Sequence, residues 1–181
     1  MELLDNTFRR LYFMYDGFYR QRHRLEPVGP MLLIREDEYD GEPRYFDDGT
    51  VLNAGQPLGI LHFDNQYLLM NTASHGIRRA GLIFREKLFC SLEQLAQAAD
   101  TGKYRHVPAY TGVTWLASRG EKVGFRTEPL ERNWRSRLLA FHFGILLHAF
   151  YGPGKAGKRA RQLQPRRFWL TRKQLLENFL R

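Results

Sequence analysis

The 181-residue chain has little cysteine and no long apolar run. Cys90 is the single cysteine, which excludes an internal disulfide and a cysteine-rich zinc site. No stretch approaches the roughly 20 consecutive apolar residues of a membrane-spanning helix. The first residues, Met1-Glu2-Leu3-Leu4-Asp5, lack the basic and apolar regions of a signal peptide. These absences predict a soluble, cytoplasmic protein.

Catalytic signatures are also missing from the sequence. The Gly-rich segment 152–158 has neither the spacing of a Walker motif nor the Ser or Thr that follows one. No serine elbow, paired cysteine or His-Glu-x-x-His motif occurs. The sequence therefore leaves open whether the protein is an enzyme, and it predicts no cofactor and no metal site.

The residues that are present favour a packed α+β domain. Hydrophobic residues make up 43% of the chain and aromatic residues 14%, enough to form a core. Apolar residues recur at helical spacing in 4–25, and Asp47-Asp48-Gly49-Thr50 is typical of a β-hairpin turn. We expect a single domain with a small antiparallel sheet packed by four to five helices. Its core would span 1–151, and 152–181 would add a basic loop, an edge strand at 167–170 and a C-terminal helix.

Further elements follow from the same patterns. Strands are predicted at 31–35, 44–46, 50–52, 57–63, 107–113 and 125–127, and helices at 66–72, 74–99, 115–123, 134–151 and 171–179.

Positive charge is concentrated in one segment. The formal net charge is +9, and residues 152–173 contain eight basic side chains and no acid. Those assigned to an anion-binding or membrane surface, with the tryptophan that lies among them, are Lys155, Lys158, Arg159, Arg161, Arg166, Arg167 and Trp169. Such a surface suits an anionic lipid, a phosphorylated small molecule or nucleic acid. The alternative is a solvated face that only keeps the protein in solution.

Two short polar clusters are candidate ligand sites. Arg22, His23 and Arg24 lie near the end of the first predicted helix. His62, Asp64 and Asn65 lie where a predicted strand meets a helix, a position where anions are attracted. His62 and Asp64 could pair as an imidazole and its orienting carboxylate, or ligate a metal together. The alternative is that Asp64 or Asn65 caps the helix and His62 is bonded within the core.

Several phrases together resemble the YkoP-like domain of bacterial proteins. They are residues 19–29, 48–52, 61–65, 111–114 with 124–125, and 168–172, ending in Phe168-Trp169-Leu170-Thr171-Arg172. Members of that family look like companions of polysaccharide deacetylase-type and glycosyltransferase proteins. The resemblance implies a role linked to the bacterial envelope and a partner that modifies envelope polysaccharide. It supplies no catalytic residues.

The function that these observations favour is an accessory binding module. It would recognise an anionic ligand, a lipid head group or a phosphorylated glycan precursor, in bacterial envelope metabolism. Peripheral, salt-sensitive attachment to the inner face of the membrane is expected to come from the basic segment and Trp169. The alternatives are an enzyme acting on a glycan or lipid-linked substrate, and a nucleic-acid-binding protein, which the missing recognition motifs disfavour.

Overall fold

A computed structural model describes residues 2–114, 125–130, 137 and 165–180. The elements in chain order are α1 (Glu2–Arg22), β1 (Glu26–Val28), β2 (Leu32–Glu38), β3 (Arg44–Tyr45), β4 (Val51–Leu52), β5 (Pro57–Phe63), α2 (Asn65–Asp100), β6 (Ala109–Thr114), β7 (Arg126–Pro129), β8 (Arg166–Thr171) and α3 (Arg172–Phe179). The α+β composition is therefore confirmed. The structure describes three helices with bounds, fewer than the four to five predicted, and the helices predicted at 115–123 and 134–151 lie outside the described residues except for position 137.

The main sheet is larger than predicted and is not purely antiparallel. Six strands have the order β1-β2-β5-β6-β8-β7. β5 and β6 are parallel, whereas the other neighbouring pairs are antiparallel. Parallel neighbours need a long crossover, and the 36-residue α2 provides it. The prediction of a small antiparallel sheet was wrong. The sequence pattern did not indicate that the strands before and after α2 are neighbours in the sheet, and a helix that connects two neighbouring strands makes them parallel.

The predicted hairpin is confirmed, but it forms a separate two-stranded sheet. Arg44 pairs with Leu52 and Tyr45 with Val51. Gly49 has φ +84°, which glycine adopts without strain, and the Asp48 carboxylate accepts a 2.9 Å hydrogen bond from the Thr50 amide. The hairpin lies between β2 and β5 in the chain and is not part of the main sheet.

The two faces of the main sheet bury different clusters. α2 and α3 cover one face over a large core that includes Ile34, Leu61, Leu92, Tyr110 and Phe168. On the other face the hairpin packs through Phe46 and Leu52 against Leu58, Ala109 and Trp169. Alternation along β8 explains the division, because Phe168 and Trp169 must point to opposite faces.

The last strand of the chain, β8, lies inside the main sheet. β8 lies between β6 and β7, so the prediction of an edge strand at 167–170 was wrong. Thr171 then caps α3 through a reciprocal capping box with Gln174, as its position before an apolar pattern indicated.

α2 is one helix where the sequence pattern suggested two, at 66–72 and 74–99. No proline interrupts this segment, so the polar residues near 72–74 do not end the helix. None of the helices in the described part of the chain has the length and apolar character that crossing a membrane requires.

Candidate functional site

The end of α1 holds three candidate residues in a tight turn. The amides of His23 and Leu25 donate to the carbonyls of Tyr19 and Arg20, each at 3.0 Å, and so close the last helical turn. Arg24 occupies the left-handed position of this turn, with φ +49°. It is the only non-glycine residue in the described ranges with a positive φ. Glycine is the usual residue there, because a side chain costs about 1–2 kcal/mol.

This turn forms one side of an open surface cavity of about 400 Å³. β2 contributes three lining residues, and the turn after α2 contributes two more. The full lining is Arg22, His23, Arg24, Glu26, Ile34, Arg35, Glu36, Lys103 and Tyr104. Four of these side chains are permanently cationic and two are acidic, so the lining is basic.

Both carboxylates of the cavity are already bonded to basic side chains. Glu26 accepts hydrogen bonds from the Lys103 ammonium and from the Tyr104 hydroxyl. Glu36 lies 2.6 Å from the Nε2 atom of His106. Both carboxylates therefore have partners other than the two arginines of the turn.

The arginines of the cavity have fewer ion-pair and hydrogen-bond partners than its carboxylates. Within the described ranges, Arg22 and Arg24 form no ion pair, and both are exposed. Arg35 pairs with Asp37 at 3.0 Å, but its buried Nε–H has no acceptor among those residues. Guanidinium groups bind phosphate and carboxylate through paired hydrogen bonds. The cavity therefore offers several donors to an anion.

His23 lies between these charges and the protein interior. Its ring packs on Tyr19, with 4.2 Å between the ring centroids. Burial lowers the pKa of His23, and the positive charges of Arg35 and Arg22 lower it further. An anion in the cavity would oppose those charges and raise this pKa. His23 is therefore a natural reporter of anion binding.

Asp64 is a structural residue in the second cluster. Its carboxylate accepts a 2.8 Å hydrogen bond from the Tyr67 amide, which caps α2, and two from Arg20 at 2.6 and 3.1 Å. Arg20 also donates to Asp16 at 2.7 Å. Asn65 is the first residue of α2 and interacts with the side chain of Tyr12. The carboxylate therefore bonds Arg20 and Tyr67 in this structure and does not orient His62.

His62 is uncharged at neutral pH, and the hydrogen-bonding capacity of its ring is not fully used. Its Nε2 atom is buried and has no hydrogen-bond partner among the described residues. The ring lies edge-on to Tyr19 at 5.9 Å. Burial, followed by the charges of Arg35 and His23, lowers the pKa of His62 to about 4. His62 does not line the cavity, and no group of three or more metal-ligating side chains occurs in the part of the chain that the structure describes.

Trp169 was expected on an exposed membrane surface, and the structure places it inside the protein. It is 1% exposed, its indole N–H donates to Glu128 at 2.8 Å, and Arg44 stacks on its ring at 4.3 Å. Alternation along β8 turns this side chain inward, under the hairpin. The expectation that Trp169 inserts into lipid was therefore wrong.

The remaining basic candidates divide into two groups. Arg166 donates to the Thr127 carbonyl at 3.1 Å, and exposed Arg167 lies 5.8 Å from the Trp169 ring. Lys155, Lys158, Arg159 and Arg161 lie outside the described residues.

Sequence patterns missed six of the nine residues that line the cavity. Arg35, Lys103 and Tyr104 come from a strand and from a turn that are far apart in the chain. The polar end of β2 hinted that Arg35 would be accessible. Nothing local to Lys103 and Tyr104 could bring them to Glu26, since that contact depends on how α2 crosses the sheet.

The geometry defines an α+β domain with a basic surface cavity beside its first helix. The sequence profile of the YkoP domain family matches residues 5–179, so the chain belongs to this family over nearly its whole length. No curated protein and no solved structure matches the chain.

Proposed function

We propose that this protein is a binding module that takes a phosphorylated ligand into the cavity beside α1. The ligand would be a lipid head group or a phosphorylated glycan precursor of bacterial envelope metabolism. The module would act in the cytoplasm, at the inner face of the membrane. The family relationship supports the envelope context, and the cavity supports the ligand class.

One observation carries the proposal. Arg22 and Arg24 converge on one cavity while forming no ion pair in the described ranges, although the cavity's own acids are paired with Lys103 and His106. Arg24 is also held in a backbone conformation that disfavours any side chain. Strained residues cluster at binding sites, where surrounding structure enforces them. A free cation placed at such a cost is more consistent with ligand binding than with a solvated surface.

The cavity size agrees with this ligand class. A volume of about 400 Å³ is within the range of small-ligand pockets. The guanidinium groups of Arg22 and Arg24 can hold phosphate oxygens through paired hydrogen bonds.

An enzymatic function is the second candidate, because His62 is a neutral buried imidazole with an unpartnered nitrogen. The unprotonated nitrogen has the form of a general base, but a pKa of about 4 makes it a weak one at neutral pH. The carboxylate nearest in sequence, Asp64, is engaged by Arg20 and Tyr67 instead. This arrangement supports binding over acid–base catalysis.

The test is calorimetric titration with inorganic pyrophosphate. The Arg22→Gln/Arg24→Gln double variant removes two cavity cations, and the Arg85→Gln/Arg126→Gln double variant removes two exposed cations elsewhere. We expect the first to weaken binding at least about tenfold, because charge-assisted hydrogen bonds contribute about 1.5–3 kcal/mol each. The second should change affinity by less than about threefold.

Two further results complete this test. Pyrophosphate should raise the pKa of His23 in an NMR titration, since it opposes the charges that lower it. Equal losses in both double variants would show non-specific charge attraction. Failure of the unmodified protein to bind pyrophosphate would refute the proposal.

A further inference from the structure

The outer face of α1 is apolar and exposed. Leu11, Met14, Tyr15 and Phe18 are 60%, 72%, 49% and 67% exposed. Their spacing of three and four residues places them on one side of a helix. These four residues are called the α1 stripe below. Exposed apolar side chains are common singly, but a continuous row of four large ones marks an interaction surface.

The opposite face of α1 is the one that packs on the protein. Tyr12 and Asp16 are 4% and 8% exposed, and Tyr19 contacts His23 and His62. Arg20 joins this face to Asp64 at the start of α2. The α1 stripe is therefore not required to hold the helix in place.

The charges around the α1 stripe have one sign. Arg10 and Arg22 are exposed at its two ends, and Arg22 falls on the same helical face as Leu11, Tyr15 and Phe18. Between residues 10 and 24 the one acid is Asp16, which is buried and bonded to Arg20. A row of apolar side chains between arginines is the pattern of helices that lie in a lipid interface.

We propose that α1 lies in the plane of an anionic membrane surface, with the α1 stripe among the lipid chains. Arg10 and Arg22 then contact the phosphates of the head groups. Because Arg22 also lines the cavity, this contact places the cavity at head-group level. The inference rests on the membrane location in the proposed function and adds the contacting element, which is argued from the α1 stripe and from the exposed Arg10 and Arg22.

A second copy of the chain fits this face less well. Two copies that paired their stripes in antiparallel orientation would bring Arg10 of each near Arg22 of the other. Like charges placed opposite each other are destabilising. An anionic surface instead complements all of these charges, so charge favours lipid as the occupant.

The first experiment is sedimentation with vesicles of phosphatidylglycerol and phosphatidylcholine, and with vesicles of phosphatidylcholine alone. The Met14→Gln/Phe18→Gln double variant removes the centre of the α1 stripe. Tyr45→Gln is the matched control, because Tyr45 is 74% exposed on the separate hairpin sheet. We expect binding to anionic vesicles at low salt, a loss of about tenfold or more in the double variant, and no change in the control.

A direct readout uses Phe18→Trp with lipids brominated along their chains. We expect the tryptophan fluorescence to be quenched by these lipids, beyond any quenching of the unsubstituted protein, because position 18 would lie among the chains. Absence of this quenching, equal binding to both vesicle types, or unchanged binding by the double variant would overturn the proposal. A dimer in solution that the double variant abolishes, without vesicle binding, would assign the face to a second copy.

The proposals for the cavity and for the α1 stripe can be tested separately. Met14→Gln/Phe18→Gln should keep its affinity for pyrophosphate in the absence of lipid, which also shows that the variant is folded. Loss of vesicle binding with retained pyrophosphate binding supports the lipid contact. Loss of both through unfolding is recognised by circular dichroism, and the Phe18→Trp quenching then decides the matter.

Discussion

The arginines at the end of α1 differ in their ion-pair partners, with Arg20 on one side of the comparison and Arg22 and Arg24 on the other. Arg20 bonds two carboxylates, those of Asp16 and Asp64, and its side chain is 22% exposed. Arg22 and Arg24 follow within four residues, are exposed, and form no ion pair in the described part of the chain. The first group joins α1 to α2, whereas the second faces the cavity.

The difference separates an arginine that stabilises the fold from two arginines to which the proposed function assigns ligand binding. A cation enclosed by two acids stabilises the fold, because either acid alone would be left charged and partly buried. An arginine that lines the cavity and has no ion-pair partner contributes little to folding and is free to bind an anion. Arg20 and Arg22 lie about 200° apart around α1, and the turn that follows the helix brings Arg24 to the same cavity as Arg22.

Substituting Arg20 should give the largest loss of stability. Burial raises the pKa of Asp16, and Arg20 is the main group that opposes this effect. We expect Arg20→Met to lower the free energy of unfolding by about 2 kcal/mol, because breaking these partly buried ion pairs leaves carboxylates without a partner. Arg22→Met should change it by less than about 0.5 kcal/mol. Urea denaturation of both variants measures this contrast, and equal losses would remove the distinction between the two groups.

His62 should govern stability in acid without affecting the ligand. Its pKa of about 4 in the folded protein is below the ordinary value of 6.5. Between these values the unfolded chain binds the proton and the folded chain does not, so stability is lost as pH falls from about 6.5 to 4. The loss from this group is at most about 3 kcal/mol.

The measurement compares His62→Gln with the unmodified protein. The variant should show a smaller fall in the free energy of unfolding between pH 6.5 and pH 4, and an unchanged affinity for pyrophosphate at neutral pH. An equal fall in the free energy of unfolding of both proteins would mean that groups other than His62 determine the loss of stability in acid. A large loss of pyrophosphate affinity would connect His62 to the cavity.

The smallest expected effect has opposite signs for folding and for binding. Arg24→Gly relieves the left-handed backbone strain at φ +49°, and we expect the free energy of unfolding to rise by about 1 kcal/mol. The same change removes a cavity cation, so pyrophosphate affinity should fall. Thermal unfolding and calorimetry test the two effects on one protein sample. A variant that is destabilised would show that the Arg24 side chain itself holds the turn.

Local signals predicted the elements whose causes lie within a few residues. The Asp48-Gly49 turn, the Asp64 cap and the Thr171 cap depend on side chains that bond nearby backbone, and all three occur in the structure. The end of α1 was set three residues too late, because the left-handed turn at Arg24 is formed by a residue type that rarely adopts it. β1 was missed because its short segment contains Pro27, which strands tolerate mainly at sheet edges.

Long-range pairing could not be predicted in the same way. The parallel contact of β5 with β6, and the place of β8 inside the sheet, depend on how α2 crosses the core. The cavity has the same origin, since it joins the end of α1 to β2 and to Lys103. Trp169 was misplaced because its basic neighbours suggested exposure, while strand alternation and Glu128 determine its environment.

The position of β8 also affects the order in which the sheet can assemble during synthesis. β7 pairs with β8 and with no other strand in the described sheet, and β6 has its second neighbour in β8. β1, β2 and β5 can pair as soon as residue 63 has left the ribosome. β7 must wait until residues 166–171 have been made, although it is translated about 40 residues earlier. A nascent chain of this protein therefore carries one unpaired strand through most of the synthesis of its C-terminal part.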